Sequence, residues 1–198
     1  MLAPELLLAA YRHGIFPMTV DERGTVGWFS PDPRAIIPLD NRFHIPHGLR
    51  RVLKQNRFTV TFDQEFEPVI RACATRPEGT WISEEIIESY CALHRLGHAH
   101  SVEVRLLPKA LASSIPLVGG LYGVHIGGAF FGESMFHRAT DASKVALVAL
   151  VKRLRASKFA LLDTQWITPH LAQFGTYEIT RAHYLRRLRQ AVARPVEF

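Results

Sequence analysis

Hydrophobic positions follow two different periods along the chain, and the pattern predicts a mixture of helices and strands. A spacing of three to four residues, typical of one helix face, marks the segments 1–14, 45–56, 64–75, 83–97 and 142–157, with a short helix at 168–175 and a last helix after Thr180. Alternating or continuous apolar runs predict strands at 35–39, 57–63, 100–107, 159–165 and 177–179. The segment 117–136 predicts two strands joined at Gly127 and Gly128. Residues 14–34 are rich in Gly, Pro and Asp, so we expect little regular structure there.

Residues typical of helix ends support these boundaries. Ser83 is a good N-cap for the fourth helix, and Gly97 is suited to end it. Thr168 and Thr180 are suited to begin the two last helices, and Asp141 or Thr140 to begin the long one. A central hairpin followed by a β–α–β unit then predicts a mixed α+β fold, with helices on the faces of one sheet.

Composition describes an ordinary globular protein. The chain has 198 residues, 47% of them hydrophobic, which suits one domain or one domain with a small appendage. No uninterrupted apolar run reaches the roughly 18 residues of a membrane helix. The first residues lack the basic start of a signal peptide. Cys73 and Cys91 lie far apart, so no disulfide framework is indicated, and we predict a protein of the reducing cytoplasm.

Positive charge is concentrated in the last quarter of the chain. The formal net charge is +6, and basic residues cluster in 152–158 and 181–194. These clusters are either solvated helix faces or a surface for phosphate groups. The candidate phosphate contacts in the first cluster are Lys152, Arg153, Arg155 and Lys158.

Several familiar motifs fail on inspection. Gly132-Glu-Ser-Met-Phe136 resembles a nucleophile elbow but lacks the second glycine, so Ser134 is more plausible as a structural or substrate-contacting hydroxyl. His94, His98 and His100 suggest a metal, but Gly97 interrupts the helix between them and no acidic ligand is suitably spaced. We therefore predict no metal site.

Two carboxylates in apolar strands, Glu133 and Asp163, require an explanation because burying an unpaired charge is costly. Glu133 could pair with Arg138 or Lys144, and Asp163 could cap a helix. Alternatively, both could belong to an active site.

Seven segments together resemble the leucyl/phenylalanyl-tRNA–protein transferase family. They are residues 11–18, 28–39, 79–90, 117–124, 132–147, 161–165 and 171–188, in the order of that family. The resemblance implies an N-acetyltransferase-like sheet with flanking helices in residues 41–198, preceded by a small N-terminal domain in residues 1–40. It implies transfer of leucine or phenylalanine, and less readily methionine, from aminoacyl-tRNA to the N-terminal Arg or Lys of proteins. This reaction belongs to the bacterial N-end rule degradation pathway, and no metal or nucleotide cofactor is implied.

The chain departs from the family pattern in few places. Leu121 stands where the family has methionine, and Thr164 stands where some members have cysteine. Neither change removes a residue with an expected catalytic role, but Leu121 could alter the side-chain pocket.

An aminoacyl ester is already activated, so positioning of the reactants and stabilisation of the oxyanion are the main requirements. Asp163 and Gln165 alternate along one predicted strand, and we expect them to face the same way, orient the incoming amine and receive its proton. The resemblance implies the same role for these two residues. Glu133 would bind the α-amino group of the substrate or organise Asp163, two alternatives that the sequence leaves open.

Other residues are expected to bind the rest of the donor. The resemblance implies that Trp28 and Trp81 lie against the terminal adenosine. The predicted hairpin can form a pocket for the leucine or phenylalanine side chain from Leu121, Phe130 and Met135, the last adaptable because its thioether is flexible. The N-terminus of the helix after Asp141 would suit a phosphate or the developing negative charge of the ester.

Two other classes of protein compete with this reading. A coenzyme-A-dependent N-acetyltransferase should carry an Arg/Gln-x-x-Gly-x-Gly/Ala loop before a helix, and the sequence has none. A non-enzymatic RNA-binding module would explain the basic charge but would leave Glu133 and Asp163 without a role.

Overall fold

A computed structural model describes residues 1–21, 23–75, 80–107 and 115–198. Within these ranges the chain forms seven helices and nine strands. The helices are α1 (Pro4–Arg12), α2 (His47–Lys54), α3 (Phe66–Ala74), α4 (Glu84–Arg95), α5 (Ala142–Ala156), α6 (Pro169–Ala172) and α7 (Arg181–Val192). The strands are β1 (Phe16–Thr19), β2 (Val26–Phe29), β3 (Arg34–Ile37), β4 (Phe58–Phe62), β5 (Ala99–Leu106), β6 (Leu117–Ile126), β7 (Ala129–His137), β8 (Leu161–Gln165) and β9 (Tyr177–Ile179).

A seven-stranded mixed sheet organises the molecule, in the order β4-β5-β6-β7-β8-β3-β9. All its pairs are antiparallel except β7 with β8, which run parallel because α5 carries the chain back between them. This arrangement confirms the predicted α+β fold. The early strand β3 lies between the late strands β8 and β9.

The two faces of the sheet carry separate hydrophobic cores. Tyr11 of α1 and Tyr90 of α4 pack on one face, together with α3 and α7. The mostly buried helix α5 covers the other face, together with α2. Because side chains alternate along a strand, the neighbours Leu121 and Tyr122 enter opposite cores.

Three local predictions can be compared with the structure. Ser83, Thr168 and Thr180 each accept a hydrogen bond from a backbone amide in the first turn of their helix, as predicted. Residue 141 does precede α5, but the Asp141 side chain makes no cap bond and accepts one from Lys144 Nζ instead, at 2.9 Å. The expectation for residues 14–34 is wrong, because β1 and β2 pair there as a small antiparallel sheet.

The proposed division at residue 40 remains a prediction. Strand β3, at residues 34–37, lies before that boundary and is part of the central sheet. Helix α1 contributes Leu7, Leu8 and Tyr11 to the same hydrophobic core as α3 and α4. The first forty residues therefore contribute to the main core.

Gly119 allows α5 to approach the sheet closely. A Cβ added at Gly119 would lie 2.5 Å from the Cβ of Ala142, the first residue of α5.

We expect Gly119→Ala to lower Tm by several degrees, because overpacking costs about 1–3 kcal/mol and each kcal/mol shifts Tm by roughly 2–4 °C at this size. Gly48→Ala is the control, since a Cβ there meets nothing within 4 Å. Equal melting temperatures for the wild type and Gly119→Ala would show that the contact is not tight.

Candidate active site

A pocket of about 620 Å³ opens at the carboxyl ends of the parallel strands β7 and β8. The two strands pair only from Ala129 with Leu161 to Phe131 with Asp163, and beyond that point they separate. Ligands of sheets with parallel strands commonly bind in such a crevice. The pocket wall combines apolar side chains from the hairpin and α5 with a small number of polar groups: Leu121, Tyr122, Glu133, Ser134, Met135, Phe136, His137, Ser143, Leu147, Leu150, Leu162, Gln165 and others from β1 and the segment 164–171.

A β-bulge places Glu133 in this wall. Ser134 pairs with Tyr122 and Gly132 with Gly123, so Glu133 is the extra residue on β7. The bulge changes the alternation beyond it: Phe131 and Phe136 enter one core, while Met135 packs against the other. Glu133 keeps the face of Phe131 and points toward the tyrosines of α1 and α4, whereas Met135 beyond the bulge lines the pocket beside Leu121, its partner across the hairpin.

Two tyrosines hold the Glu133 carboxyl group. The Tyr11 hydroxyl donates to Oε1 at 2.7 Å, the Tyr90 hydroxyl lies 3.5 Å from Oε2, and the two hydroxyls hydrogen-bond to one another. The pairings with Arg138 or Lys144 suggested from the sequence do not form: Arg138 donates to the Leu117 carbonyl and Lys144 to Asp141. Burial raises the pKa of Glu133 to about 8, more than the tyrosine hydrogen bonds lower it.

Asp163 is completely enclosed and does not line the pocket. Its Oδ1 accepts from Arg34 Nε and from the Gln165 backbone amide, both at 2.9 Å. Its Oδ2 accepts from Arg34 Nη2 at 2.6 Å and from the Tyr184 hydroxyl at 2.7 Å. A carboxylate offers about four lone-pair sites, and all of them are occupied. Asp163 is therefore neither a helix cap nor placed to receive a proton directly from a substrate.

Gln165 lies in the pocket wall although Asp163, two residues earlier, does not. Thr164 is an extra residue opposite β3, since Gln165 pairs with Ala35 and Asp163 with Ile36. Gln165 also has a left-handed backbone, with φ of 60°. The expected alternation, with both side chains facing the same way, is therefore broken. Gln165 is 6% exposed, and among the described residues its Nε2 has no hydrogen-bond partner.

Of the two tryptophans expected to lie against the terminal adenosine, Trp81 lines the pocket and Trp28 does not. Trp81 lines the pocket and is half-buried, but Trp28 is 41% exposed on β2 and is not part of the wall. Trp166 lines the pocket and is 42% exposed, with its ring edge-on to Phe16 at a centroid distance of 5.3 Å. Met18 of β1 also belongs to the wall.

The residues expected to form the side-chain pocket are partly brought together. Leu121, Met135 and Ser134 all line the pocket. Phe130 does not, because it precedes the point where β7 and β8 separate and is fully buried against Phe198, at a ring distance of 5.4 Å. Leu147 and Leu150 of α5 occupy the wall that had been assigned to Phe130.

The basic cluster at residues 152–158, in the last turn of α5 and just beyond it, divides into two pairs. Arg153 donates to the Phe198 carbonyl at 3.0 Å and lies over the Phe62 ring, and Arg155 donates to the carbonyls of Leu39 and Asp40. These two arginines fasten other parts of the chain to α5. Lys152 and Lys158 are exposed. Helices rise 1.5 Å per residue, so Lys152 lies about 14 Å along α5 from Ser143 in the pocket wall.

The histidines considered as metal ligands make other contacts. His94 Nδ1 lies 2.7 Å from the Ala99 carbonyl, and its ring stacks on Phe66. His100 Nδ1 contacts Asp63 at 2.8 Å. In the described parts of the chain, no group of three or more His, Cys, Asp or Glu side chains is placed to hold a metal ion. None of the helices in the described ranges has the length and apolar character to cross a membrane.

Sequence reasoning missed the partners of both carboxylates. Arg34 precedes the buried residues Ala35 to Ile37, and a charge at the start of a buried strand is a detectable signal for a buried ion pair. Tyr11, Tyr90 and Tyr184 each occupy a helix position that predicts only core packing. Their hydroxyl contacts depend on tertiary structure.

Comparisons with known proteins match almost the whole chain to one family. The family described as "Leucyl/phenylalanyl-tRNA protein transferase" matches residues 36–189, and the N-terminal domain of that family matches residues 1–32. A relative from Akkermansia muciniphila, named leucyl/phenylalanyl-tRNA--protein transferase, is 54% identical to this chain over 193 residues, covering 96% of each chain. The relative from Gloeobacter violaceus is 53% identical over 197 residues, covering 100% of this chain and 97% of its own.

Among solved structures, the crystal structure of FemX is similar, with a TM-score of 0.58 and 12% sequence identity. The similarity covers 89% of this chain and 66% of FemX. At that identity the comparison shows a shared fold and nothing about substrate.

The pKa of Glu133 predicts a specific dependence of stability on pH. The folded state raises this pKa from an ordinary 4.5 to about 8, so the folded protein binds more protons than the unfolded chain between these values. The contribution of Glu133 to the free energy of unfolding therefore falls as pH rises through that window. We expect the Tm of Glu133→Gln to increase relative to wild type from pH 5 to pH 8.5, measured by circular dichroism. Glu88→Gln on the exposed face of α4 is the control, and parallel pH profiles for wild type and Glu133→Gln would contradict the raised pKa.

Proposed function

The chain belongs to the leucyl/phenylalanyl-tRNA protein transferase family, and on this premise we propose that it transfers leucine or phenylalanine, and methionine less readily, from aminoacyl-tRNA to the N-terminal Arg or Lys of proteins. The amine forms a new peptide bond as the ester C–O bond breaks, and the tRNA leaves with its terminal ribose hydroxyl restored by the proton that the amine loses. The physiological role would be the bacterial N-end rule pathway. The observation that carries the proposal is the composition of the pocket: an apolar region beside a group of polar side chains that includes Glu133 and Gln165.

The apolar region suits an unbranched-at-β side chain. Leu121, Met135, Leu147 and Leu150 would surround the leucine or phenylalanine of the donor. A flexible methionine can adapt to either substrate. Burial of such a side chain contributes about 1.5–3 kcal/mol, which favours apolar over polar amino acids.

Glu133 would bind the α-ammonium group of the donor. Among the two alternatives for this residue, its place in the pocket wall favours contact with substrate, and no direct hydrogen bond joins it to Asp163, whose acceptor sites are all used. A bound cation stabilises the carboxylate form and lowers its pKa, so ammonium binding would release a proton from Glu133 near neutral pH.

Gln165 would contact the reacting ester. Its buried Nε2 can donate to the oxyanion that forms when the amine attacks, and its carbonyl can accept from that amine. A free α-amino group has a pKa of roughly 7.7–8.0, so about a tenth of it is neutral at pH 7 and a strong base adds only about 1–2 kcal/mol. Orientation can contribute up to about 7–11 kcal/mol, so alignment of the amine outweighs its deprotonation.

The transfer RNA would approach across the open side of the pocket. Trp81 and Trp166 present indole rings at the wall and could hold the terminal adenosine by stacking. The exposed Lys152, near the end of α5, and Lys158, just beyond the helix, would contact phosphates of the acceptor stem. The N-terminal turn of α5 would face the donor through Ser143.

A transfer assay tests the proposal. Purified protein is incubated with radiolabelled Leu-tRNA and a peptide that begins with Arg, and the labelled peptide is quantified. The matched controls are the same peptide with an acetylated N-terminus, a peptide that begins with Asp, and acetyl-CoA as the donor. Transfer to the free Arg peptide alone is expected. Label on the acetylated peptide, transfer from acetyl-CoA, or tRNA binding without any transfer would reject the proposed reaction in favour of another.

The role of Gln165 gives a second prediction. We expect Gln165→Ala to lower the single-turnover transfer rate by about 10²–10³-fold, the usual loss on removing one oxyanion donor. The affinity for Leu-tRNA should change little, because the interaction strengthens only in the transition state. A large loss of affinity with an unchanged rate would assign Gln165 to substrate binding alone.

Substitution of the tryptophans tests which indole rings bind the terminal adenosine. Trp166→Ala and Trp81→Ala should each weaken Leu-tRNA binding about 5- to 150-fold, since stacking contributes about 1–3 kcal/mol per base. Trp28→Ala should bind normally, because Trp28 lies outside the pocket wall. Filter binding measures all three variants, and a defect confined to Trp28→Ala would mean that the adenosine binds elsewhere.

The exposed lysines predict a change in salt dependence. Lys152→Glu combined with Lys158→Glu should raise KM for Leu-tRNA and reduce the salt slope by about two phosphate contacts. Activity with a minimal aminoacyl-adenosine, which lacks the stem, should be unchanged. If both activities fall together across a salt series, these lysines matter for folding only.

A further inference from the structure

Arg34 lies at the centre of a buried arrangement of hydrogen bonds and ring contacts next to the pocket. It is 1% exposed, and its guanidinium forms the two parallel hydrogen bonds to Asp163 described above. Its Nη1 donates to the Gly14 carbonyl at 3.1 Å, just after α1. The guanidinium also lies between the rings of Phe16 and Tyr184, at 4.8 and 4.6 Å from their centroids. A planar, bidentate contact of this kind fixes the orientation of a carboxylate, which a point charge such as lysine cannot do.

The arrangement reaches the pocket at Phe16, which packs on Arg34 and lines the wall, and through a hydrogen bond to Gln165. Asp163 Oδ1 accepts the backbone N–H of Gln165 at 2.9 Å, and the side chain of Gln165 lines the pocket. The left-handed backbone of Gln165 is costly for a residue other than glycine, so it persists only where its surroundings hold it. The hydrogen bond from its N–H to a fixed carboxylate is such a restraint.

From this geometry we propose that Arg34 and Tyr184 are positioning residues for the transfer reaction. This inference rests on the proposed function. They orient the Asp163 carboxylate, which holds the backbone of Gln165 in its left-handed conformation and thereby directs the Gln165 side chain into the pocket. Neither residue touches the substrate, and neither lines the pocket. They act on the rate of the chemical step through Gln165, and not on the binding of Leu-tRNA.

Tyr184→Phe is the decisive variant. It removes the Tyr184 hydroxyl, which donates to Asp163 and accepts from Arg34 Nη2 at 3.4 Å, but keeps the aromatic ring that packs against Arg34. We expect the single-turnover rate to fall roughly three- to tenfold, because a hydrogen bond to a charged group is lost and only part of its effect reaches Gln165. KM for Leu-tRNA should stay within about twofold of wild type. Arg34→Lys, which keeps the charge but loses the forked geometry, should show the same division between rate and KM.

Tyr177→Phe is the matched control. The Tyr177 hydroxyl accepts a hydrogen bond from Arg187 Nη1 at 2.9 Å, so this variant also removes a tyrosine–arginine contact, but outside the pocket wall. It should transfer leucine at the wild-type rate. Equal rate losses in Tyr177→Phe and Tyr184→Phe would overturn the proposal in favour of a general effect on stability.

A double-mutant cycle separates positioning from a purely structural role. If Tyr184 acts through the Gln165 side chain, Tyr184→Phe should have little further effect on the rate in a Gln165→Ala background. The same fold-loss in both backgrounds would show that Tyr184 acts independently of Gln165, and would overturn the proposal. A normal rate in Tyr184→Phe would overturn it as well.

A second measurement does not depend on activity. Nuclear magnetic resonance of ¹⁵N-labelled protein can follow the backbone amide of Gln165, assigned with a Gln165→Leu variant. Its hydrogen exchange should accelerate in Tyr184→Phe and stay unchanged in Tyr177→Phe. Absence of any transfer by the wild type would reject the proposed function, whereas unchanged exchange at Gln165 in Tyr184→Phe would reject the connection between these residues.

Discussion

The separation of β7 from β8 beyond Phe131 and Asp163 is the constraint on which the site depends. Two parallel strands that stop pairing leave backbone groups that need other partners, and a space that side chains must line. Each strand contains an extra residue just beyond this point, Glu133 in β7 and Thr164 in β8. The two bulges redirect the side chains that follow them, so that Met135 and Gln165 line the pocket, while Asp163 stays sealed behind it.

The sealed carboxylate shows how a buried charge can be accommodated. Removing an arginine and an aspartate from water costs several kcal/mol per ion, and their attraction offsets this only with good geometry and full hydrogen bonding. Here every acceptor site of Asp163 is used, and Arg34 also reaches a backbone carbonyl beside α1. Apolar residues could fill the same volume, but they would not select one orientation for the end of β8. We regard this selection as the reason for a charged pair here.

Much of the fold follows from local sequence, but the site follows only in part. The cap residues Ser83 and Thr168 and the Gly127–Gly128 turn act within a few residues, so the helices and the hairpin could be located from the pattern. The two bulges could not, because one inserted residue leaves the apolar pattern almost unchanged. Gly132 within an apolar strand was the one sign of irregularity there. Misplacement of the Asp163 side chain followed from assuming regular alternation. Phe130 was misplaced because the sequence does not show where β7 and β8 separate, and Trp28 was carried over from the resemblance.

The position of β3 in the sheet has a consequence for synthesis on the ribosome. This strand is made early, but both of its neighbours, β8 and β9, come from the last quarter of the chain, and Asp163 follows Arg34 by 129 residues. At about 5–20 residues per second, β3 waits roughly 6–25 s for its partners. Both backbone edges of a short apolar strand stay unpaired during that time, a state that invites association with other chains. Pro33 and Pro38 flank the strand and Arg34 begins it, three residues that oppose such pairing.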